Sequence, residues 1–408
     1  MADDITIRPT VDDDWGAFYE SLAGSFNDDP DDDWAAVELL VFEPERSLVA
    51  QRGDEVVGTA GIYTRRLSVP GATVPAAHVT LISVAPTARR QGVLTRFINR
   101  QFADMQAAGE PIAVLWASEG RIYQRFGYGL SARKLNLTVD TRETRLLAPS
   151  ADEGRIRQGK PADLRETLVK VYDQAYASRP GWSERASRHW DNRLADPKVV
   201  RRDASALRAV VHEGAGGVDG YALWRVANKW DDGGPAGEVR VGELIANSTE
   251  AYLGLWRFLL SVDLTRTTTA WSCALDEPLM FLVNEPRKLG GRLGDALWLR
   301  IIDVPAALAA RRYASPVDVV IEVTDDLIPG NAGRWRLTGS AEQATCVAST
   351  DAADLACDIR SLGAAYLGDA VLPALAAGGL VRELRPGALA AASAAFGWHR
   401  PPSVGEVF

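Results

Sequence analysis

The stretch from Leu81 to Met105 constrains the fold more than any other part of the chain. Leu81-Ile82-Ser83-Val84-Ala85 ends a strand, read from His78, that Pro86 stops. Val93, Leu94, Phe97, Ile98, Phe102 and Met105 then recur at intervals that mark one apolar face of a helix. Between strand and helix stands Arg89-Arg90-Gln91-Gly92, so the spacing is Arg-x-x-Gly-x-Leu. The first turn of a helix carries unpaired backbone N–H groups and the positive end of the helix dipole. Glycine there admits a ligand close to the backbone, and two arginines add charge-assisted contacts. The pattern fits a bound di-anion. On these six residues alone, an ordinary strand-to-helix turn with solvated arginines fits equally well.

The neighbourhood favours the first reading. Upstream, Asp4 to Pro9 alternates as a strand, a helical stretch with Trp15, Phe18, Tyr19 and Leu22 follows, and Asn27–Asp33 reads as a loop. Ser47–Val49 and Glu55–Arg65 form a hairpin signal around Arg52-Gly53-Asp54. Downstream, Ile112–Trp116 reads as a buried strand. A brief helix carries Ile122, Tyr123 and Phe126, and Lys134–Val139 is another strand. The order then repeats: strands at Leu207–Val211, Gly220–Val226 and Val239–Ile245, a helix at Tyr252–Val262 and a strand at Thr268–Cys273. Ala246-Asn247-Ser248-Thr249-Glu250 stands where the first copy has its Arg/Gly turn, with neither residue type. The second copy reads as the same fold without the phosphate site. From Leu297 a strand leads into a Pro305-started helix, and Val317–Val323 can pair with Arg334–Thr338 and Ala344–Ala348. Alanine-rich helices complete an α+β unit.

A chain of 408 residues exceeds one core, which stops growing near ~250–300 residues. The expected division is 1–146, 147–296 and 297–408. No apolar run approaches the ~20 residues of a membrane span. Met1-Ala2-Asp3-Asp4 has no basic start before an apolar stretch, so no secretory signal is expected and the location is read as cytoplasmic. Cys273, Cys346 and Cys357 are too scattered for a disulfide framework or zinc site. His78, His189, His212 and His399 form no HxH or HxxxH pair, so no metal is expected. A net charge of −9 argues against nucleic acid. It suits a cationic partner, although solubility alone explains it better.

With these residues in place, the chain resembles the GCN5-related N-acetyltransferase (GNAT) superfamily, whose [Arg/Gln]-x-x-Gly-x-[Gly/Ala] turn cradles the pyrophosphate of acetyl-CoA. Leu94 departs from the last position. Within the superfamily the chain is similar to the enhanced intracellular survival (Eis) family of actinobacteria, where leucine at that place is usual. That resemblance rests on Ser83-Val84-Ala85-Pro86-Thr87-x-Arg89-Arg90-x-Gly92-x-Leu94 and on Ala117-Ser118-Glu119-Gly120-x-Ile122-Tyr123-x-Arg125-Phe126-Gly127-Tyr128-Gly129. It continues in Leu297-Trp298-Leu299-Arg300-Ile301, Val304-Pro305-Ala306-Ala307-Leu308 and the terminal Phe408. It implies an α+β, α/β chain: two tandem GNAT-like domains, the second degenerate, then a sterol-carrier-protein-like domain.

The resemblance also implies roles. Backbone groups of Ile82, Ser83 and Val84 would pair with the pantetheine arm of acetyl-CoA. Arg90, Gln91, Gly92, Val93, Leu94 and Thr95 would hold the pyrophosphate, with Arg89 alongside. Ser118 and Glu119 would line the thioester end. Tyr123 would be the acid that protonates the leaving thiolate, and the Phe408 carboxylate the base. Asp28, Trp34, Leu81 and Asp295 align with positions around the amine pocket. The family's acid before the terminal phenylalanine is replaced by Val407, with Glu406 one step earlier. A homohexamer is implied as well.

The chemistry stands without the resemblance. A tyrosine near ~10 and a thiol near ~8.5 exchange a proton without a steep gradient. A terminal carboxylate can act only from a tail held in place, and Gly397–Phe408, with Pro401, Pro402 and an apolar end, fits a packed tail. The expected activity is acetylation of primary amines on cationic acceptors, either aminoglycoside-like polyamines or lysine side chains of a peptide. The competing reading is a non-catalytic CoA- or lipid-binding carrier or scaffold. In isolation, Tyr123 reads as a core aromatic and Phe408 as a frayed end.

Overall fold

The computed structural model describes residues 5–147, 154–369 and 371–408. Asp4, at the start of the expected first strand, lies outside them, as do Met1 to Asp3. In chain order, β1 (Thr6–Pro9), α1 (Trp15–Ser25) and α2 (Asp32–Leu39) lead into β2 (Leu48–Arg52), β3 (Glu55–Val69) and β4 (Ala72–Val84). α3 (Val93–Ala107), β5 (Ile112–Trp116), the single turn α4 (Gly120–Tyr123) and β6 (Gly129–Asp140) follow. Next come β7 (Arg155–Gly159), α5 (Pro161–Ala175), α6 (Ser187–Leu194), α7 (Lys198–Arg201), β8 (Arg208–Gly214) and β9 (Gly217–Ala227). A two-residue ribbon, β10 (Trp230–Asp231) and β11 (Gly234–Pro235), precedes β12 (Gly237–Ala246), α8 (Thr249–Leu260), β13 (Thr265–Cys273), α9 (Leu279–Leu282) and β14 (Arg292–Ile301). The chain closes with α10 (Val304–Ala310), β15 (Val317–Thr324), β16 (Gly333–Gly339), β17 (Ala344–Ala348), β18 (Leu355–Asp358), α11 (Ile359–Ala365), α12 (Leu372–Ala377), β19 (Val381–Glu383) and α13 (Ala388–Phe396). No described helix is long and apolar enough to cross a membrane.

The chain divides into two compact units. One holds the described residues up to Ala132, Ala296–Pro402 and Val407–Phe408; the other holds Arg133–Asp295 and Ser403–Glu406. In the first unit the strands run β1-β2-β3-β4-β5-β14. Neighbours from β1 to β4 are antiparallel, and β5 is parallel to β4 at Ala76–His78 only. β3 and β4 are longer than the hydrophobic pattern suggested, because burial continues through Leu67, Val69 and Val74. β4 has no β5 partner before Ala76, so Pro75, which lacks an N–H, is tolerated there. The apolar face of α3 (Ile98, Phe102, Met105) packs on Ile62, Ala77, Val79, Ala113 and Leu115. On the other face Phe18 of α1, Phe42 and Val49 form a cluster with Trp15 and Leu81 beside them.

Leu297–Ile301 does not pair inside the C-terminal sheet. It pairs antiparallel with β5, from Leu297↔Trp116 to Ile301↔Ile112. The C-terminal sheet runs β17-β16-β15-β18-β19, with the pairings among Val317–Thr324, Gly333–Gly339 and Ala344–Ala348 that the sequence suggested. Arg300 on β14 sends Nη2 to both carboxylate oxygens of Asp325 at 2.7 Å, with side-chain exposures of 0% and 2%. Asp325 also accepts from the Leu327 and Ile328 N–H groups at 3.1 and 3.2 Å and from Asn331 at 3.0 Å. The Arg300 guanidinium lies 5.2 Å from the centre of the Phe102 ring, behind α3. Gly129, opening β6, allows α11 to approach: a Cβ there would meet the Arg360 carbonyl oxygen at 2.0 Å.

The second unit orders its strands β6-β13-β12-β9-β8-β7, with β12 and β13 parallel. α8 packs on one face through Leu255, Trp256 and Leu259, and α5 on the other through Leu164, Leu168 and Val171. Three antiparallel strands, a helix and a parallel strand reproduce the order of the first unit.

Removing Asp325 would strand a fully buried guanidinium. Asp325→Ala is therefore expected to cost about 3–5 kcal/mol. Denaturant unfolding of the full chain measures it, and a loss under about 1 kcal/mol contradicts the assignment.

Candidate functional site

The site begins with a break in the ladder. Thr59 pairs with Ser83 and Gly61 with Thr80, so Leu81 and Ile82 bulge opposite Ala60. Leu81 takes φ +53, an uncommon conformation for a branched side chain. The Thr59 hydroxyl pins the bulge by donating to the Leu81 carbonyl at 2.7 Å, and it lies 2.8 Å from the Ser83 hydroxyl. The parallel pairing with β5 has already ended at His78↔Val114. Ile82, Ser83 and Val84 therefore line a cleft where β5 would otherwise continue.

The turn behind the bulge follows from its residues. Pro86 starts a short 3-10 turn, Arg90 takes φ +64 and Gly92 takes φ +78 as N-cap of α3. Gly92 offers no side-chain cap, so no hydroxyl or carboxylate of its own occupies the first turn of α3. Gln91 sends its amide back to the Thr87 carbonyl at 3.0 Å and accepts from Arg52 at 3.3 Å. It braces the turn and does not line the cleft.

The cleft encloses about 660 Å³. Its walls include Ile82, Ser83, Val84, Arg89, Arg90, Gly92, Val93, Leu94 and Thr95 on one side, and Ser118, Glu119 and Tyr123 on the other. Eleven of the twelve expected cofactor residues thus share one cleft, Gln91 being the exception. Three arginines, Arg89, Arg90 and Arg125, face a single carboxylate, Glu119, which Arg121 holds at 2.6 Å. The local field suits a poly-anion although the chain carries a net negative charge. Arg125, and the segment Ser25-Phe26-Asn27 that closes one side, were not anticipated. Arg125 follows Tyr123 by two residues inside the motif Tyr123-x-Arg125-Phe126, and that place and its charge are the signals that mark it.

Tyr123 ends the one-turn α4 and is 8% exposed. Its ring meets Tyr128 edge-on at 5.9 Å. Burial pushes its hydroxyl up to about 12. Phe408 is not part of the cleft wall. Its ring lies edge-on to His78, with centroids 4.5 Å apart. His78 is fully buried three residues before the bulge, and its Nδ1 lies 3.0 Å from the Ala76 carbonyl oxygen. The terminal residue thus reaches the strand from which the cleft opens.

The four expected amine-pocket residues do not line the cleft. Asp28 is exposed beside Asn27, Trp34 is half-buried on α2, and Leu81 packs under the bulge. Asp295 lies on β14 in the second unit. A further carboxylate emerges on α2 that no pattern in the sequence marked. Burial pushes Glu38 up to about 7, against a hydrogen bond from Tyr63. Tyr63 is the cross-strand partner of His78, and Glu38 lies one helical turn after Trp34. Among the described residues no group of three or more His, Cys, Asp or Glu could hold a metal ion.

Gly92→Ala meets no neighbour within 4 Å but must adopt φ +78. The strain is expected to cost about 1–2 kcal/mol. The same conformation positions the phosphate-facing N–H groups, so CoA binding should weaken about tenfold. Arg89→Ala should raise the KM for acetyl-CoA by a similar factor. Calorimetric titration with CoA and initial rates test both, and unchanged values contradict the turn's assignment.

Comparisons with known proteins show the domains and the family of the chain. Residues 6–131 match the acetyltransferase (GNAT) domain family, residues 181–301 a second acetyltransferase (GNAT) domain family, and residues 304–405 the sterol carrier protein domain family. An N-acetyltransferase of Streptomyces avermitilis is 45% identical over 96% of both chains. The N-acetyltransferase Eis of Mycobacterium tuberculosis is 34% identical over 93% of both. The crystal structure of Eis1 from Mycobacterium abscessus superposes with a TM-score of 0.85 at 32% identity, covering 99% of this chain and 100% of that one. A GCN5-related N-acetyltransferase from Anabaena variabilis shares the fold at a TM-score of 0.86 and 19% identity. The chain belongs to the Eis family of GNAT N-acetyltransferases, with two GNAT domains followed by a sterol-carrier-type domain.

Proposed function

We propose that this enzyme transfers the acetyl group of acetyl-CoA directly to primary amines of cationic acceptors, either aminoglycoside-like polyamines or lysine side chains, at one or several positions. The observation that carries the reading is the sharing of one cleft by the Arg89–Gly92 turn and Tyr123. The turn and the three arginines hold the phosphates. The freed backbone of Ile82–Val84 offers extended-strand hydrogen bonds to the pantetheine amides. Acidic groups on the α1–α2 side, Asp28, Asp31 and Glu38, all act on the Tyr19 hydroxyl, so they gather in one region that attracts an ammonium group.

The Phe408 carboxylate takes a proton from the attacking nitrogen. The C–N bond forms, the C–S bond breaks, and Tyr123 donates toward the leaving sulfur. A tyrosine at about 12 keeps its proton at every pH at which amines attack. Against a thiol near ~8.5, full transfer is uphill by about 3.5 units, or about 5 kcal/mol. Tyr123 is therefore set to stabilise the departing thiolate chiefly by donating a hydrogen bond.

Turnover with kanamycin, neomycin and lysine peptides, read by thiol release, tests the activity. CoA binding without release for any amine overturns it. Tyr123→Phe should lower kcat by about 10²-fold or more while the KM for acetyl-CoA stays near wild type. Because Tyr123 is protonated below about 12, kcat should show no falling limb between pH 7 and 10; a limb near 9 that vanishes in Tyr123→Phe contradicts its buried, protonated state. Adding residues after Phe408 should abolish turnover, and an extended, fully active enzyme removes the terminal carboxylate from the mechanism.

A further inference from the structure

In the second unit the parallel strands part much as they do in the first. β12 pairs with β13 as far as Val241↔Ala270. Gly242 then bulges from the ladder with β9, and Ser272 on β13 takes φ +59. In the first unit, backbone released beyond such a bulge lines the cleft. In the second, the chain's own segment Ser403–Glu406 docks at the parting. The Ser272 hydroxyl donates to the Val404 carbonyl, and the Ser403 N–H donates to the Pro180 carbonyl at 3.0 Å. Val404 is 2% exposed. A Cβ at Gly181 would meet the Ser403 carbonyl oxygen at 2.4 Å, so the approach requires glycine there.

The anchor is ionic. Arg185 Nε donates to the Glu406 carboxylate at 2.8 Å. Its two Nη atoms donate to Glu243, the residue after the Gly242 bulge, at 3.1 and 2.6 Å. Tyr221 also donates to Glu243, at 2.6 Å. Side-chain exposures of Arg185, Glu243 and Glu406 are 0%, 2% and 11%. A buried arginine with all three nitrogens satisfied by carboxylates has one favourable position, and the hydrogen bonds are directional.

We infer that the phosphate-free GNAT copy is a clamp for the C-terminal tail, and that Arg185, through Glu406, is a positioning residue for the terminal carboxylate. This rests on the reading of Phe408 as the base. Phe408 stands two positions after Glu406, so their Cα atoms lie at most about 7 Å apart. Fixing Glu406 confines the Phe408 Cα, and the carboxylate attached to it, to that neighbourhood. The clamp also gives Glu406 a role in a chain whose penultimate residue is Val407.

The test uses full-length protein in a double-mutant cycle. Glu406→Ala leaves Arg185 still paired with Glu243, so the fold should hold. Its kcat should fall about 10²-fold with the KM for acetyl-CoA unchanged, since misplacing a reacting group by about 1 Å has that effect. Glu406→Gln, which still accepts from Arg185, should recover part of the rate. Deleting Phe408 should cut kcat to a measurable residual rate, about 10³-fold down, and adding Glu406→Ala to that deletion should lower it no further. A fully active Glu406→Ala beside a deletion at that residual rate overturns the clamp and leaves the base reading standing. Independent, multiplying losses in the double variant also overturn it. An active Phe408 deletion overturns the base reading and the positioning role with it. Should Glu406→Ala not fold, Ser272→Ala, which removes only the bond to Val404, should show a smaller loss of kcat that disappears in the deletion background.

Discussion

The cofactor side of this molecule depends on one irregularity, the departure of β4 from its ladder at Leu81. A regular β4 would pair with β3 through its last residue and leave no register shift at Ala60. The shift sets Leu81 at φ +53, and Thr59 holds it there with a buried hydroxyl. The pairing with β5 has ended at His78, so Ile82–Val84 beyond the bulge have no β5 partner, and the turn beyond Pro86 delivers the start of α3 into the same space. The strand supplies hydrogen-bonding backbone and the helix supplies N–H groups and charge. The bulge decides that both point into one cleft.

The second copy shows what the architecture becomes when the helix start changes. α8 is capped by Ser248, whose hydroxyl accepts from the Ala251 N–H at 3.0 Å and donates to Asp219 at 2.6 Å. A protein hydroxyl and carboxylate occupy the place that α3 leaves open beside Gly92. A phosphate would meet Asp219 there and lose by repulsion what the dipole offers. The bulge at Gly242 persists, and so does the parting of β12 from β13, but tail residues use it. The strand parting recurs in the second copy, with the tail residues docked at it.

Much of this was legible in the sequence because the signals were local. The 3.6-residue period of Val93–Met105, with the glycine before it and Pro86, gives the start of α3 at Val93, and the helix runs two residues past Met105 to Ala107. The apolar run Ile112–Trp116 coincides with β5 at both ends. The absence of glycine and arginine at Ala246–Glu250 foreshadowed the Ser248 cap. What stayed hidden was non-local or unpatterned. Leu297–Ile301 reads as a strand, but nothing in it names β5 as its partner. Gln91 lies inside the motif yet turns back to Thr87. Glu38 has no periodic neighbour that betrays its burial, and Arg125, in the short turn after α4, has no spacing that places it on the cleft wall. The ion pair of Arg185 with Glu406 joins residues 221 positions apart, a distance no motif spans.

One cleft per chain, with the Arg89–Gly92 turn in its wall, is the proposed CoA site. The most direct measurement is calorimetric titration of the full-length protein with CoA, alongside an Arg89→Ala, Arg90→Ala variant of the same chain. One CoA bound per chain, with affinity falling by at least tenfold in the variant, is the expected result. Two CoA per chain, or one bound with undiminished affinity in the variant, would place the cofactor elsewhere and contradict the account.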